Sequence, residues 1–137
     1  MTLTPTTTAT LVFGGRASAR EEAIAMCVDP NIRTVIILEG LPDGKDDSAL
    51  LATDNLQIIR IAVGCMCCAG NLVMRVTLNR VLRDKPAHLY ISVENQEHIE
   101  QLRFCLTHEP YDALLSFNQD INCDRATPYN NISNALS

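Results

Sequence analysis

The sequence predicts an α/β fold of three layers, in which a mostly parallel β-sheet of about five strands carries helices on both faces. Strand-like and helix-like segments alternate along most of the 137 residues, which implies right-handed crossovers between parallel strands. Residues 34–38 form a continuous, mostly β-branched run, typical of a strand buried on both faces. Because such sheets place their sites beyond the carboxyl ends of the strands, we expect function in the loops after Phe13, Leu38 and Val63.

Five strands and three longer helices account for this alternation. The predicted strands cover residues 10–13, 34–38, 56–63, 88–93 and 113–117. The predicted helices cover residues 19–28, 71–83 and 95–107, with a shorter helix at residues 48–53. Ser18 and Glu21 have the spacing of a capping box, which places the start of the first helix there. Pro30 and Pro86 lie just beyond the first two helices, where proline cannot continue them.

Each helix has apolar side chains at helical spacing that we expect to face the sheet. They are Ala23, Ile24 and Cys27 in the first helix, Leu72, Val76 and Leu82 in the second, and Ile99, Leu102 and Leu106 in the third. We expect Cys105 in the core as well. The chain from Asn118 onward is rich in Asn, Asp, Ser and Thr. We therefore predict a flexible terminus over residues 1–9, one α/β domain over residues 10–118 and a loose polar tail over residues 119–137.

Composition and charge argue against several classes of function. The net charge of −5 disfavours nucleic acid as a partner, since phosphates need a basic face. No stretch approaches the length of apolar chain that spans a membrane. The first ten residues lack Lys and Arg and have no apolar core, so we expect no secretion signal and a cytoplasmic protein. The six cysteines are then free thiols, core residues or metal ligands rather than a disulfide framework.

The loop after the first strand has the context of a phosphate-binding loop without its chemistry. The pattern GxxxxGK[ST] cradles phosphates with backbone amides, a Lys and a hydroxyl. With Gly14 as the first glycine, Ala19 takes the second glycine position, Arg20 the Lys position and Glu21 the hydroxyl position. A carboxylate at Glu21 repels phosphate. Gly14, Gly15 and Arg20 are therefore candidates for weak residual anion binding, and a plain strand-to-helix turn is the alternative.

The most distinctive feature is a cysteine cluster after the third strand. Cys65, Cys67 and Cys68 lie between Gly64 and Gly70, and thiolates bind zinc and copper(I) well. A structural zinc site needs a fourth ligand, which a histidine or a second subunit would have to supply. Three ligands and an open position suit metal transfer. The CxxC spacing of Cys65 and Cys68 keeps redox exchange open as an alternative. A further alternative is that one or more of these cysteines pack as small hydrophobes.

Residues 64–68, Gly-Cys-Met-Cys-Cys, resemble the GCxCC motif of the CobW-like GTPases, relatives of the nickel-insertion chaperones of urease and hydrogenase. Members of that family place a phosphate loop before the first helix. After the second strand they carry a segment like NEFGxxGxD, where this chain keeps Glu39, Gly44 and Asp46. The resemblance covers residues 11–117. It implies a reduced P-loop NTPase-like fold in which the cysteines bind the transported metal.

The departures from the family pattern bear on nucleotide chemistry. Arg20 and Glu21 replace the phosphate-loop Lys and Ser/Thr. Ser92 takes the place of an acidic residue at the end of the fourth strand, and Asn95 replaces the glycine after it. The guanine-reading NKxD segment and the C-terminal domain of family members are absent from this sequence. Together these departures argue against nucleotide binding, guanine selection and hydrolysis, so we do not expect an enzyme.

We therefore expect a non-enzymatic, degenerate CobW-like domain that binds or responds to zinc or another thiophilic metal through Cys65, Cys67 and Cys68. A homo-oligomer or a metalloprotein partner is compatible with this role, whereas nucleic acid and membrane are not expected as partners. Three alternatives stay open. They are a structural or protein-interaction module without metal, residual nucleotide binding at the first loop without hydrolysis, and thiol–disulfide exchange.

Overall fold

The computed structural model describes residues 7–40, 53–61, 72–94 and 96–124. The strands are β1 (Thr7–Phe13), β2 (Thr34–Glu39), β3 (Leu56–Ile61), β4 (His88–Ser92), β5 (Leu115–Phe117) and β6 (Ile121–Asn122). The α-helices are α1 (Ala17–Cys27), α2 (Leu72–Arg83) and α3 (Ile99–Leu106). Two short 3₁₀ turns cover Gln96–His98 and Tyr111–Ala113. The predicted alternation of strands and helices is confirmed.

The strands form a parallel sheet in the order β3-β2-β4-β1-β5. Both β5 and β6 pair with β1, the first along Thr7–Ala9 and the second along Val12 and Phe13. The carbonyls of Ala9 and Phe13 both accept bonds from this side, from the amides of Asn118 and Cys123. The two short strands therefore lie end to end along one edge of β1. Together they occupy the position of the predicted fifth strand. The described residues therefore form a sheet of six strands, where about five were predicted.

Two apolar cores lie on opposite faces of the sheet. The strands alternate between them, so that Leu11 and Ile37 belong to one core while Val12 and Ile36 belong to the other. Helices α2 and α3 contribute to the first core, and α1 contributes Ile24 to the second. Period-two alternation explains how continuous apolar runs serve both faces. The predicted three-layer arrangement is confirmed.

The predicted inward faces of the helices are confirmed in part. Ile99, Leu102 and Leu106 of α3 are all buried. In α2 the prediction that Val76 faces inward is wrong, because Val76 is 48% exposed. The buried side chains of that helix are Met74, Leu78, Val81 and Leu82. These positions repeat at intervals of three and four residues, so the apolar stripe is rotated from the predicted one.

Helix α1 departs from the prediction most clearly. It begins at Ala17, and its N-cap is Arg16, which makes no side-chain capping bond. Ser18 therefore lies inside the first turn and is not the predicted cap. Cys27 is exposed and not in the core, because at this position α1 turns it away from the sheet. Ile24 is buried as predicted, and the other two side chains that α1 buries are Arg20 and Glu21.

The paired strands extend past the predicted limits of the domain. Strand β1 begins at Thr7 rather than at residue 10, and β6 lies within the stretch assigned to the loose tail. The short helix predicted at residues 48–53 lies outside the described residues except for Thr53, which forms an antiparallel bridge with Leu56. Within the described ranges, no helix combines the length and the apolarity needed to cross a bilayer.

Two substitutions on α2 test the observed helix face. Leu78 is fully buried, whereas Val76 is 48% exposed. We expect Leu78→Ala to lower the free energy of unfolding by about 2–5 kcal/mol, because it leaves a cavity in the core. We expect Val76→Ala to change it by no more than about 0.5 kcal/mol. Urea denaturation of both variants measures the difference, and equal losses would contradict the described orientation of α2.

Candidate functional site

The turn between β1 and α1 consists of two glycines in the left-handed region. Gly14 has φ +82° and Gly15 has φ +66°, where residues with a side chain are strained. A Cβ on Gly14 would lie 2.6 Å from Asn122 Oδ1, and one on Gly15 would lie 2.6 Å from the carbonyl oxygen of Cys123. The chain that follows β6 thus packs directly against this turn. Both backbone conformation and close approach require glycine here.

The side chain of Arg20 is buried beneath this turn, with only 1% of it exposed. Its Nε donates to Ser92 Oγ at 2.8 Å. Its Nη1 donates to the carbonyl oxygens of Gly14 at 3.3 Å and Gly15 at 2.8 Å. Its Nη2 forms an ion pair with Glu94 Oε2 at 2.6 Å. All three guanidinium nitrogens are therefore bonded to protein atoms, and the positive charge is directed inward.

A buried carboxylate from β2 also joins this network, whereas the Glu94 side chain is 41% exposed. Glu39 is 2% exposed, and its Oε1 accepts a bond from the amide of Glu94 at 2.7 Å. A hydrogen bond to a charged acceptor in a dry environment is among the stronger ones in proteins. The contact holds the carboxyl end of β2 against the residues that leave β4. The ends of β1, β2 and β4 are thus connected through Arg20, Glu94 and Glu39.

Glu21, at the hydroxyl position of the phosphate-loop pattern, also contacts a protein cation. Its Oε2 lies 3.6 Å from Nη1 of Arg60, and the Glu21 side chain is 8% exposed. Arg60 belongs to β3, which is separated from β1 in the sheet by β2 and β4. This ion pair therefore connects α1 to the strand that leads toward the cysteine cluster.

Asp124 places a carboxylate on the glycine turn, and sequence reasoning missed it. Its Oδ1 accepts a bond from the amide of Gly15 at 3.2 Å. The segment is fixed by a bond from the amide of Cys123 to the carbonyl of Phe13 at 2.7 Å and by one from the amide of Asp124 to Asn122 Oδ1 at 3.0 Å. In the sequence, this segment was indicated only by Ile121, an apolar residue in a polar stretch.

Three cysteines lie within the described residues, and none of them is a member of the predicted metal cluster. Cys27 is exposed, while Cys105 and Cys123 are half-buried. Burial raises the pKa of the Cys123 thiol; the Arg20 charge acts against this rise and the Asp124 charge adds to it. A raised pKa keeps a thiol protonated near neutral pH, which suits packing better than metal binding.

The predicted site residues divide into two groups. Gly14, Gly15 and Arg20 are brought together, but through contacts to protein atoms, so their anion binding stays a prediction. Cys65, Cys67 and Cys68 lie outside the described residues, as do the acidic residues of the second loop after Glu39. Among the residues that the structure describes, no three His, Cys, Asp or Glu side chains are grouped so as to hold a metal ion.

Comparison with known proteins gives one informative similarity. The chain is 35% identical over 85 residues to zinc chaperone YeiR of Escherichia coli (strain K12), a match that covers 61% of this chain. The matched region spans 26% of the length of that relative. No protein-family profile matches the chain, and no solved structure matches it significantly. The similarity supports a CobW-like relationship.

Replacement of Arg20 tests whether its network holds the site together. We expect Arg20→Met to lower the free energy of unfolding by about 1–3 kcal/mol, because it leaves the buried Ser92 hydroxyl and the carbonyls of Gly14 and Gly15 without their donor. Arg33→Met is the matched control, since its pair with Asp84 is 46% and 59% exposed and contributes at most about 1 kcal/mol. Thermal or urea unfolding compares the two. A loss for Arg20→Met no larger than that for Arg33→Met would contradict the structural role of the network.

Proposed function

We propose that this chain is a non-enzymatic, metal-binding domain on a reduced nucleotide-hydrolase fold. Its ligands are Cys65, Cys67 and Cys68, and its metal is zinc or another thiophilic ion. The observation that carries the proposal is the 35% identity to a zinc chaperone, together with three thiols in four residues of sequence. The match spans 26% of the length of that relative, so zinc binding by this chain is a proposal in its own right.

The contacts of Arg20 support the absence of nucleotide hydrolysis. A phosphate-loop Lys extends toward the phosphates it binds, whereas Arg20 is turned inward and bonded to Ser92, Glu94 and the two glycine carbonyls. Those carbonyl oxygens would repel a phosphate. The guanidinium would have to break four contacts before it could bind one. The residues at this turn therefore do not fit a nucleoside triphosphate.

The acidic residues Glu21 and Asp124 argue in the same way against a bound magnesium nucleotide. Glu21 stands where a hydroxyl would hold the ion, and its carboxylate lies beside Arg60. Asp124 already uses the Gly15 amide, the type of donor that a phosphate oxygen would use. A bound magnesium nucleotide would place further negative charge among these carboxylates. The proposal accordingly includes no phosphoryl transfer.

The topology supports a functional role for the cysteine-bearing connection. It leaves β3 after Ile61 and joins α2, which begins at Leu72. Because all the main strands are parallel, this connection starts at the same edge of the sheet as the Arg20 network. Sites in parallel sheets form at this edge. The cysteines thus belong to the loop set in which the fold class places ligands.

Thiolate chemistry defines what such a loop can do. Thiols must lose their protons to bind zinc, so loading releases protons and weakens as the pH falls. Three thiolates leave the fourth position of a tetrahedral ion open. A ligand from another molecule can then enter that position and take the metal by exchange. We propose this route for metal transfer, with a metalloprotein or a second copy of the chain as partner.

Elemental analysis of protein purified under reducing conditions tests the metal proposal. We expect about one zinc per chain or per dimer, since three thiolates and a fourth ligand complete a tetrahedral site. The Cys65→Ser/Cys67→Ser/Cys68→Ser variant should lose the metal. Cys27→Ser should keep it, because that thiol is exposed and separate in sequence from the cluster. A metal-free protein that takes up no zinc on titration would leave a structural or interaction module as the better account.

Thermal unfolding with magnesium GTP or ATP tests the absence of nucleotide binding. A ligand at about 100 times its Kd stabilises the folded state by about 2.7 kcal/mol, which shifts the Tm of a domain of this size by several degrees. We expect no saturable shift, because Arg20 and Asp124 already use the groups at the turn. A shift that saturates with nucleotide concentration would contradict this part of the proposal and favour residual nucleotide binding.

A further inference from the structure

The segment that follows β6 lies against the glycine turn, and residues 121–124 are called the strap below. The strap begins as β6, in register with Val12 and Phe13 of β1. It then passes over the turn, where its atoms would meet a Cβ on Gly14 or Gly15 at 2.6 Å. No side chain larger than hydrogen fits between the strap and the turn.

We propose that the strap is an internal ligand of the phosphate loop, which it closes by occupying the place of a bound phosphate group. The Asp124 carboxylate supplies the anion and bonds to the amide of Gly15 at 3.2 Å. Arg20 donates to the carbonyls of Gly14 and Gly15, so the cation at the loop is also bonded within the protein. The loop excludes phosphate by occupancy as well as by its lack of a Lys.

Within the part of the chain that the structure describes, few contacts hold the strap. Strand β6 has two residues, and Ile121 and Cys123 are only partly buried against the second core. One backbone bond, from Cys123 to Phe13, continues the pairing. Segments with few buried contacts open locally at low free energy. The carboxylate of Asp124 is therefore a main determinant of closure.

This inference is independent of the cysteine cluster. The metal proposal depends on Cys65, Cys67 and Cys68, whereas the strap involves none of them. Loss of metal binding would leave the strap in place, and an open strap would leave the thiols unchanged. The two proposals can thus fail separately.

Hydrogen exchange and anion titration of three single variants test the strap in the full chain. Asp124→Ala removes the acceptor, and we expect the Gly15 amide to exchange about tenfold faster or more, the factor supplied by one bond to a charged acceptor. We expect inorganic pyrophosphate, the probe anion, to bind this variant at least about tenfold more tightly than the wild type. Exposed Asp112 supplies the control Asp112→Ala, which should match the wild type in both measurements.

Asp124→Asn separates occupancy from charge. The amide oxygen of Asn can still accept the Gly15 bond, so closure by occupancy predicts slow exchange and weak pyrophosphate binding in this variant. If Asp124→Asn binds pyrophosphate as tightly as Asp124→Ala, charge repulsion alone accounts for the exclusion and the proposal is overturned. The proposal also fails if Asp124→Ala leaves Gly15 exchange and pyrophosphate affinity at their wild-type values.

Discussion

The guanidinium of Arg20 carries a positive charge, and only 1% of the side chain is exposed. The conformation of the surrounding residues depends on the hydrogen-bond and ion-pair partners that this buried charge requires. A buried charge without partners costs several kcal/mol. Here the two carbonyls of the glycine turn, the Ser92 hydroxyl and the Glu94 carboxylate meet that need. The glycine turn, the end of β4 and, through Glu39, the end of β2 are consequently fixed relative to one another.

Two departures from the CobW-like pattern are directly connected in space. Arg20 at the Lys position and Ser92 at an acidic position are separate losses in the sequence. In the structure, Arg20 Nε bonds to Ser92 Oγ at 2.8 Å, and Nη2 takes its carboxylate partner from Glu94, two residues further on. The substitutions thus form one alternative network. A phosphate loop without its ligand leaves backbone amides without an acceptor. Here Asp124 accepts from the Gly15 amide, while Arg20 donates to the carbonyls of Gly14 and Gly15.

The sequence predicted the layers of the fold well, because the spacing of apolar residues follows the local repeat of strands and helices. The run at residues 34–38 became β2, and the inward triplet of α3 was correct. Helix α1 was predicted poorly, because its buried face carries Arg20 and Glu21, which periodicity counts as surface residues. The role of Asp124 could not be predicted, since it depends on a contact with Gly15 across 109 positions and on a strand too short to leave a pattern.

The closure proposed for the glycine turn changes how the proposed metal site would release its ion. In a working GTPase, two nucleotide states bias two conformations. Under the proposed closure of the turn by Arg20 and Asp124, nucleotide does not select between such states, because a ligand shifts an equilibrium only through differential affinity. Under the proposed function, release must then follow from the acceptor itself, through ligand exchange at the open position. The affinity for the metal would therefore depend on the thiolates and on pH. The direction of metal transfer would depend on tighter binding of the metal by the acceptor.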